Sequence, residues 1–213
     1  VVWVKSESFM PGGASNVANN LHALGGKACL CGVIGPDRNG KLLTEELSKK
    51  GIDVEGIAID SSRATTVKTR VIAHSQQVVR IDKETMSPIE DNIISEVLTY
   101  IKEKILEIDA IIIEDYGKGM IVPRLLKEVV NLCKKHKKII AVDPKEEHLD
   151  YYKGVTVITP NNNEASRASG INIKDDVTLK NAGSKLIKMF DSEAVLITLG
   201  ENGMCLFQKK KEP

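Results

Sequence analysis

No excess of charge, no long apolar run and no paired cysteine pattern marks this sequence. Thirty basic side chains stand against twenty-nine acidic ones for a formal charge of +1, a balance that gives no support to a nucleic-acid or membrane partner. The four cysteines, Cys29, Cys31, Cys133 and Cys205, have neither zinc-site spacing nor the density of a disulfide-stapled secreted fold. They read as reduced, mostly buried thiols. No stretch approaches the roughly 18 apolar residues that span a bilayer, and no charged-then-apolar leader opens the chain, so the cytoplasm is the expected location. Internal repeats and low-complexity tracts are absent. No G-x-G-x-x-G follows the first strand with an acidic residue about twenty positions on, which argues against a nicotinamide-dependent dehydrogenase.

What is present is the make-up of an ordinary globular chain: 213 residues, 42% hydrophobic and 28% charged, enough to bury a core. Short Val- and Ile-rich runs alternate with amphipathic stretches of helical length, the pattern of strands made parallel by helical crossovers. The fold class is therefore α/β. Strands are expected at Ala28–Ile34, Ala110–Glu114, Ile139–Val142, Val155–Thr159, Val195–Leu199 and Met204–Phe207. Most are apolar on both faces, as a sheet covered by helices on each side requires. Ile93, Ile94, Val97, Leu98, Ile101, Ile105 and Leu106 recur at helical spacing, as do Leu125, Leu126, Val129, Val130 and Leu132 after Pro123. Lys134–Lys138 reads as a solvated basic run at a helix end, where cations meet the negative pole of the dipole.

Residues 65–82 break this rhythm, mixing Val67, Thr69, Val71, Ile72, Val78, Val79 and Ile81 with polar residues around a turn near His74 and Ser75. This predicts a hairpin with one wet face. With Val1–Met10 it is expected to form a small sheet standing off the main body.

In an open parallel sheet, ligands bind beyond the carboxyl ends of the strands, where loops converge and helix amino termini point inward. Asp37, then Asp115 and Tyr116, Asp143 and Lys145, Thr159 and Asn161, Thr198 and Gly200 fall at or just past the ends of the expected strands. Each also has a plainer reading, because Asp and Asn cap helices and Thr ends strands. Near the amino terminus, Pro11-Gly12-Gly13-Ala14-Ser15-Asn16-Val17-Ala18 precedes a helix carrying Val17, Leu21 and Leu24. Two adjacent glycines allow close backbone approach, and the Asn16 amide has both a donor and an acceptor for sugar hydroxyls. A glycine turn with a helix start accounts for the same residues.

The run from Gly12 through Gly25 to Gly35-Pro36-Asp37-Arg38-Asn39-Gly40 resembles the amino-terminal signature of the ribokinase (PfkB) carbohydrate kinases. Gln76–Asp82 looks like the lid hairpin of their heptose-7-phosphate kinase branch, and Glu114-Asp115-Tyr116-Gly117-Lys118-Gly119 looks like its Asp-Tyr-x-Lys-Gly segment. Asp143-Pro144-Lys145 and Thr159-Pro160-Asn161-Asn162-Asn163-Glu164 are similar to the same branch. The resemblance implies a three-layer α/β/α fold with a mainly parallel sheet and a small β lid. It covers residues 1–213 as one partial kinase domain, with core segments 13–51 and 84–213 and lid strands at about 1–12 and 52–83.

The implied activity is ATP-dependent phosphorylation of the anomeric hydroxyl of a heptose 7-phosphate, a step toward the ADP-heptose of lipopolysaccharide. Gly12, Gly13 and Asn16 would hold sugar hydroxyls, and Arg80 and Lys118 would clamp the sugar's own phosphate. Surface pairing of Arg80 and helix-start solvation of Lys118 are the plainer readings. Lys145, Asn161, Glu164, Thr198, Gly200 and Gly203 would meet ATP and its magnesium, with Glu164 organising Mg2+ through water. A simple Asn cap with a Glu capping box is the rival account of Asn161 and Glu164.

The family's Gly-Ala-Gly-Asp segment, whose Asp is the catalytic base, does not occur in the sequence; its expected place lies beyond Pro213. The family's opening strand, with an early sugar-contacting Asp, would likewise precede Val1. No catalytic residue is therefore expected here, and the segment alone is expected not to turn over. Other sugar or nucleoside kinases of the family, or a non-catalytic sugar- or nucleotide-binding remnant, are the alternatives. A polar, partly apolar lid is also suited to pairing with its twin as a homodimer.

Overall fold

The structure, a computed structural model, describes residues 3–209. The chain divides into two compact units, residues 1–85 and 86–213.

The first unit runs α1 (Ala14–Ala23), β1 (Cys29–Ile34), α2 (Arg38–Lys49), β2 (Asp53–Ile59), β3 (Val67–Ala73) and β4 (Gln76–Lys83). β1 and β2 are parallel, with a register irregularity between Cys29 and Cys31. Ala18, Leu30, Leu47 and Ile52 form a small core, with Leu43, Val54 and Ile57 packed against it. Leu24, expected within the helix of α1, lies at its C-cap and is exposed. β3 and β4 form an antiparallel hairpin as the sequence predicts, and His74 and Ser75 turn it with φ of 50° and 63°. The register places Val67, Thr69, Val71, Val79 and Ile81 on one face and Lys68, Arg70, Arg80 and Asp82 on the other.

Two expectations for this unit need correction. Residues 3–10 form no strand, and Trp3, Val4, Phe9 and Met10 are exposed; Val1 and Val2 lie outside the described residues. Residues 53–59 do not belong with the hairpin, because their backbone hydrogen bonds go to β1 in a parallel ladder.

The second unit runs α3 (Asp91–Lys104), β5 (Ala110–Glu114), α4 (Pro123–His136), β6 (Ile139–Asp143), a 3-10 turn (Glu146–Tyr152), β7 (Val157–Ile158), α5 (Asn162–Ser169), α6 (Asp176–Phe190), β8 (Ala194–Thr198) and β9 (Met204–Gln208). These strands form one five-stranded sheet in order β5-β6-β7-β8-β9, parallel except for β9. Pro123 starts α4, where its missing N–H costs nothing, and Lys137 at φ 53° ends it after a basic last turn. The helical stripes are core as expected, from Ile93, Ile94, Val97 and Ile101 to Leu125, Leu126, Val129 and Val130; Leu106 departs from them, lying past the end of α3 in solvent.

The sheet face carrying Ile113, Ile140, Val142, Ile158, Val195, Ile197 and Phe207 is buried. α6 packs on it so closely that a Cβ at Gly183 would lie 2.4 Å from the Phe207 ring. All four cysteines are free thiols; Cys29 is exposed rather than buried, while burial pushes the Cys31 thiol up to about 12 and the Cys133 thiol to about 11. Among the described residues no helix is long and apolar enough to cross a membrane.

Candidate functional site

In the first unit the glycine pair starts α1. Gly13 occupies the N-cap with φ 53° and ψ −137°, a conformation open to glycine, and the Ser15 hydroxyl donates to the Gly12 carbonyl at 2.6 Å. Gly12 has no atom within 4 Å of where a Cβ would sit, and Asn16 is exposed on the first turn. The backbone at Gly12 is thus open, as close approach of a ligand requires.

Gly35 has a different reason to be glycine. A Cβ there would lie 2.3 Å from the Arg63 carbonyl, and its N–H donates to Thr65 Oγ1 at 3.1 Å. Asp37 caps α2, accepting from Gly40 N at 3.0 Å and from Thr65 N at 3.0 Å, and the Gly40 bond is the first cause of its lowered pKa. Asp37 therefore has the capping role. Arg80 sits on the charged face of the hairpin, half-exposed, with Nε 2.9 Å from Asp82 Oδ1; Asp82 also takes Lys68 at 2.7 Å. The surface pair is what this structure holds at Arg80.

In the second unit the parallel register brings the strand ends together. Glu114 lies opposite Asp143, and Asn161 bridges to Thr198. Residues at and after the ends of β5, β6, β7 and β8 thus share one edge: Lys118, Lys145, Asn161, Glu164, Thr198 and Gly200. Asn161 caps α5 through Asn163 N and Glu164 N, each at 3.0 Å, while Glu164 Oε2 accepts from Asn161 N at 2.8 Å. This is a complete capping box. Gly200 and Gly203, at φ 62° and 82° with open space around them, form the turn that leads β8 into β9.

The described residues end at Lys209, so Pro213, and with it the position beyond which the base is expected, lies outside them.

The edge is acidic. Burial first, and then the Asp143 charge, raises the Glu114 pKa; burial and then the Glu164 charge raise that of Asp143. The Tyr116 hydroxyl, 3.4 Å from Glu114 Oε2, is raised likewise by burial and these carboxylates. A phosphate meets such an edge favourably only with cations between. Lys145 supplies one, with its Nζ 3.2 Å from Glu147 and its stem across Gly117, where a Cβ would lie 3.2 Å from Lys145 Cε. Among the described residues no group of three His, Cys, Asp or Glu is placed to hold a metal by itself.

Beneath this edge lies a group that the sequence does not reveal. The sequence puts Asp115 at a strand end but gives no sign of its partners. Asp115 is buried and accepts from Gly117 N at 2.8 Å, His148 Nδ1 at 2.7 Å and Tyr152 Oη at 2.7 Å. Tyr152, fully buried, also accepts from Lys145 N at 2.9 Å. No motif could announce this tyrosine as a site residue, because its carboxylate partner lies 37 positions away.

The fold is that of the ribokinase-like α/β proteins. Arabidopsis thaliana ribokinase, solved with ribose and ATP, superposes with a TM-score of 0.75 at 19% identity, covering 100% of this chain and 68% of that one. Escherichia coli phosphofructokinase-2, in complex with substrates and products, gives 0.69 at 18% identity over 94% of this chain and 65% of its own. The sequence profile of the pfkB family carbohydrate kinases matches residues 2–212, and the chain belongs to that family. Among curated relatives, the bifunctional protein HldE of Desulfatibacillum aliphaticivorans is 44% identical over 213 residues, and that of Geobacter sulfurreducens 44% over 207. These matches take in 100% and 97% of this chain but only 44% and 42% of the relatives' lengths.

Proposed function

We propose that this chain is part of an ATP-dependent sugar-phosphate kinase acting on the anomeric hydroxyl of a heptose 7-phosphate. The observation that carries this reading is the row of strand-end groups from Lys118 to Thr198 on one sheet edge in a member of the pfkB family. The heptose branch is supported by the Gln76–Asp82, Asp115–Gly119 and Asp143–Lys145 segments and by the HldE relatives.

In this reading Gly12, Gly13 and Asn16 bind the sugar hydroxyls through open backbone and an exposed amide. Arg80 turns from Asp82 to the sugar's phosphate, a dianion it grips with a planar fork, and in the second unit Lys118 offers a point charge to an anionic group. Lys145, Asn161, Thr198 and the amides around Gly200 and Gly203 orient the nucleotide phosphates. Glu164 would hold magnesium through water, and the carboxylates Glu114 and Asp143, their pKa values raised chiefly by burial, would supply negative potential at the same edge. When bound, the ion neutralises charge on the transferred group. In this reading these residues bind and orient the reactants, and the catalytic base would come from a Gly-Ala-Gly-Asp segment, which does not occur in this sequence. The reaction would run in the cytoplasm, with the apolar face of the hairpin pairing two copies.

Calorimetric titration of Mg·ADP, heptose 7-phosphate, unphosphorylated heptose, fructose 6-phosphate and ribose tests this. Mg·ADP and heptose 7-phosphate should bind, and the unphosphorylated heptose should bind at least roughly tenfold more weakly, because charge-assisted contacts worth about 1.5–3 kcal/mol are lost. Preference for ribose or fructose 6-phosphate would assign the chain to another branch of the family. Phosphorylation assays on the gene product carrying this sequence separate a kinase from a binding remnant.

A further inference from the structure

The Asp115 carboxylate is almost wholly withdrawn from solvent, with a side chain 1% exposed. Three donors from two chain segments converge on it. Oδ1 takes the Gly117 N–H of its own loop, and Oδ2 takes both the His148 ring and the Tyr152 hydroxyl from the 3-10 turn. A carboxylate only accepts, so His148 carries its proton on Nδ1 in this arrangement. The ring is fixed further by stacking on Tyr151 at 4.9 Å between centroids with 14° between planes. Tyr152 in turn receives the Lys145 N–H.

One buried carboxylate thus ties together the loop after β5, which carries Lys118, and the loop after β6, which carries Lys145. The loops also touch directly, with the Lys145 stem lying across Gly117. On its other side the first loop is clamped at Gly119, whose carbonyl accepts from Ile89 N at 3.0 Å and whose Cα faces the Ser87 carbonyl with no room for a Cβ.

We propose that His148 and Tyr152 are positioning residues: acting through Asp115, they set the relative placement of the two lysine-bearing loops that receive anionic groups. This rests on the kinase reading for what the loops bind, and on the hydrogen-bond geometry alone for how they are held. A glycine-rich loop with two positive-φ residues, Gly117 at 63° and Gly119 at 77°, has many alternative conformations. A fixed acceptor beneath it selects one, and preorganised donors bind phosphate without the entropy loss of ordering the loop at that moment. His148 contacts the same oxygen that Tyr152 uses, so removing either leaves a buried charge with fewer donors.

The experiment compares the protein with His148→Leu, His148→Asn and Tyr152→Phe. Asparagine keeps an N–H close to the place of Nδ1, whereas leucine keeps bulk without a donor. Hydrogen exchange across residues 116–119 should quicken about fivefold in His148→Leu and Tyr152→Phe, the size of one hydrogen bond worth about 1 kcal/mol, and stay near the parent rate in His148→Asn. Affinity for Mg·ADP or heptose 7-phosphate should fall by a similar factor in the first two and be kept in the third. Unchanged loop exchange in His148→Leu overturns the proposal, and so does equal loss in the leucine and asparagine variants, which would mark a packing role only. If the parent protein binds neither ligand, the kinase reading falls while the exchange comparison still decides how the loop is held.

Discussion

At the scale of single residues, the same glycine serves different ends, and the space around it tells them apart. Gly119 has φ 77° and no room for a Cβ, which would lie 1.9 Å from the Ser87 carbonyl. Gly119→Ala should therefore destabilise the second unit by at least about 2 kcal/mol in urea unfolding, combining left-handed strain with a backbone clash. Gly200 has φ 62° and open space, so Gly200→Ala should cost only about 1 kcal/mol, from strain alone. The carboxylates at the sheet edge make a second residue-scale prediction. Asp143 has its pKa raised by burial and by Glu164, so its ionised form is disfavoured in the fold. Its penalty is absent below the unfolded pKa near 3.8 and grows as pH rises through the folded value. Asp143→Asn should accordingly raise the thermal midpoint at pH 7 and lose that advantage near pH 3. Equal midpoints at pH 7 would remove the electrostatic account of this edge.

At the scale of elements, apolar runs and helical stripes carried most of the information. Ala110–Glu114 is legible because its apolar run is bounded by Asp109 and Asp115 and pairs with an equally apolar partner in β6. β2 falls within the stretch expected as lid strands, because Glu55 and Gly56 interrupt the apolar run that marks the core strands, yet it pairs with β1 across an irregular register. Residues 3–10 show the reverse error: β-forming side chains without a ladder partner among the described residues do not make a strand. Capping explains why the site is only half legible. Asn161 and Glu164 satisfy the amino terminus of α5 with the same atoms that a phosphate or hydrated ion would address, and no sequence pattern separates the two uses. The Asp115 network is invisible for another reason, since a core tyrosine and a lone histidine have no spacing signature.

Exposure sets the element-scale prediction. β4 is exposed along all eight residues, and so its amides should exchange far faster than those of β6 and β8 in native-state hydrogen exchange. Comparable protection in β4 would show the hairpin covered in solution, as pairing of two copies through Val79 and Ile81 would cover it.

For the whole molecule, the central claim is the proposed division of labour: sugar-phosphate contacts at Gly12, Gly13, Asn16 and Arg80 in the first unit, and nucleotide contacts at the strand ends of the second. The most direct measurement is a paired calorimetric titration of heptose 7-phosphate and Mg·ADP into the parent protein, Arg80→Ala and Thr198→Val. The account predicts that Arg80→Ala weakens the sugar phosphate by roughly ten- to a hundredfold while leaving Mg·ADP unchanged, and that Thr198→Val does the reverse to a smaller degree. Parent-like affinity for both ligands in both variants would contradict it.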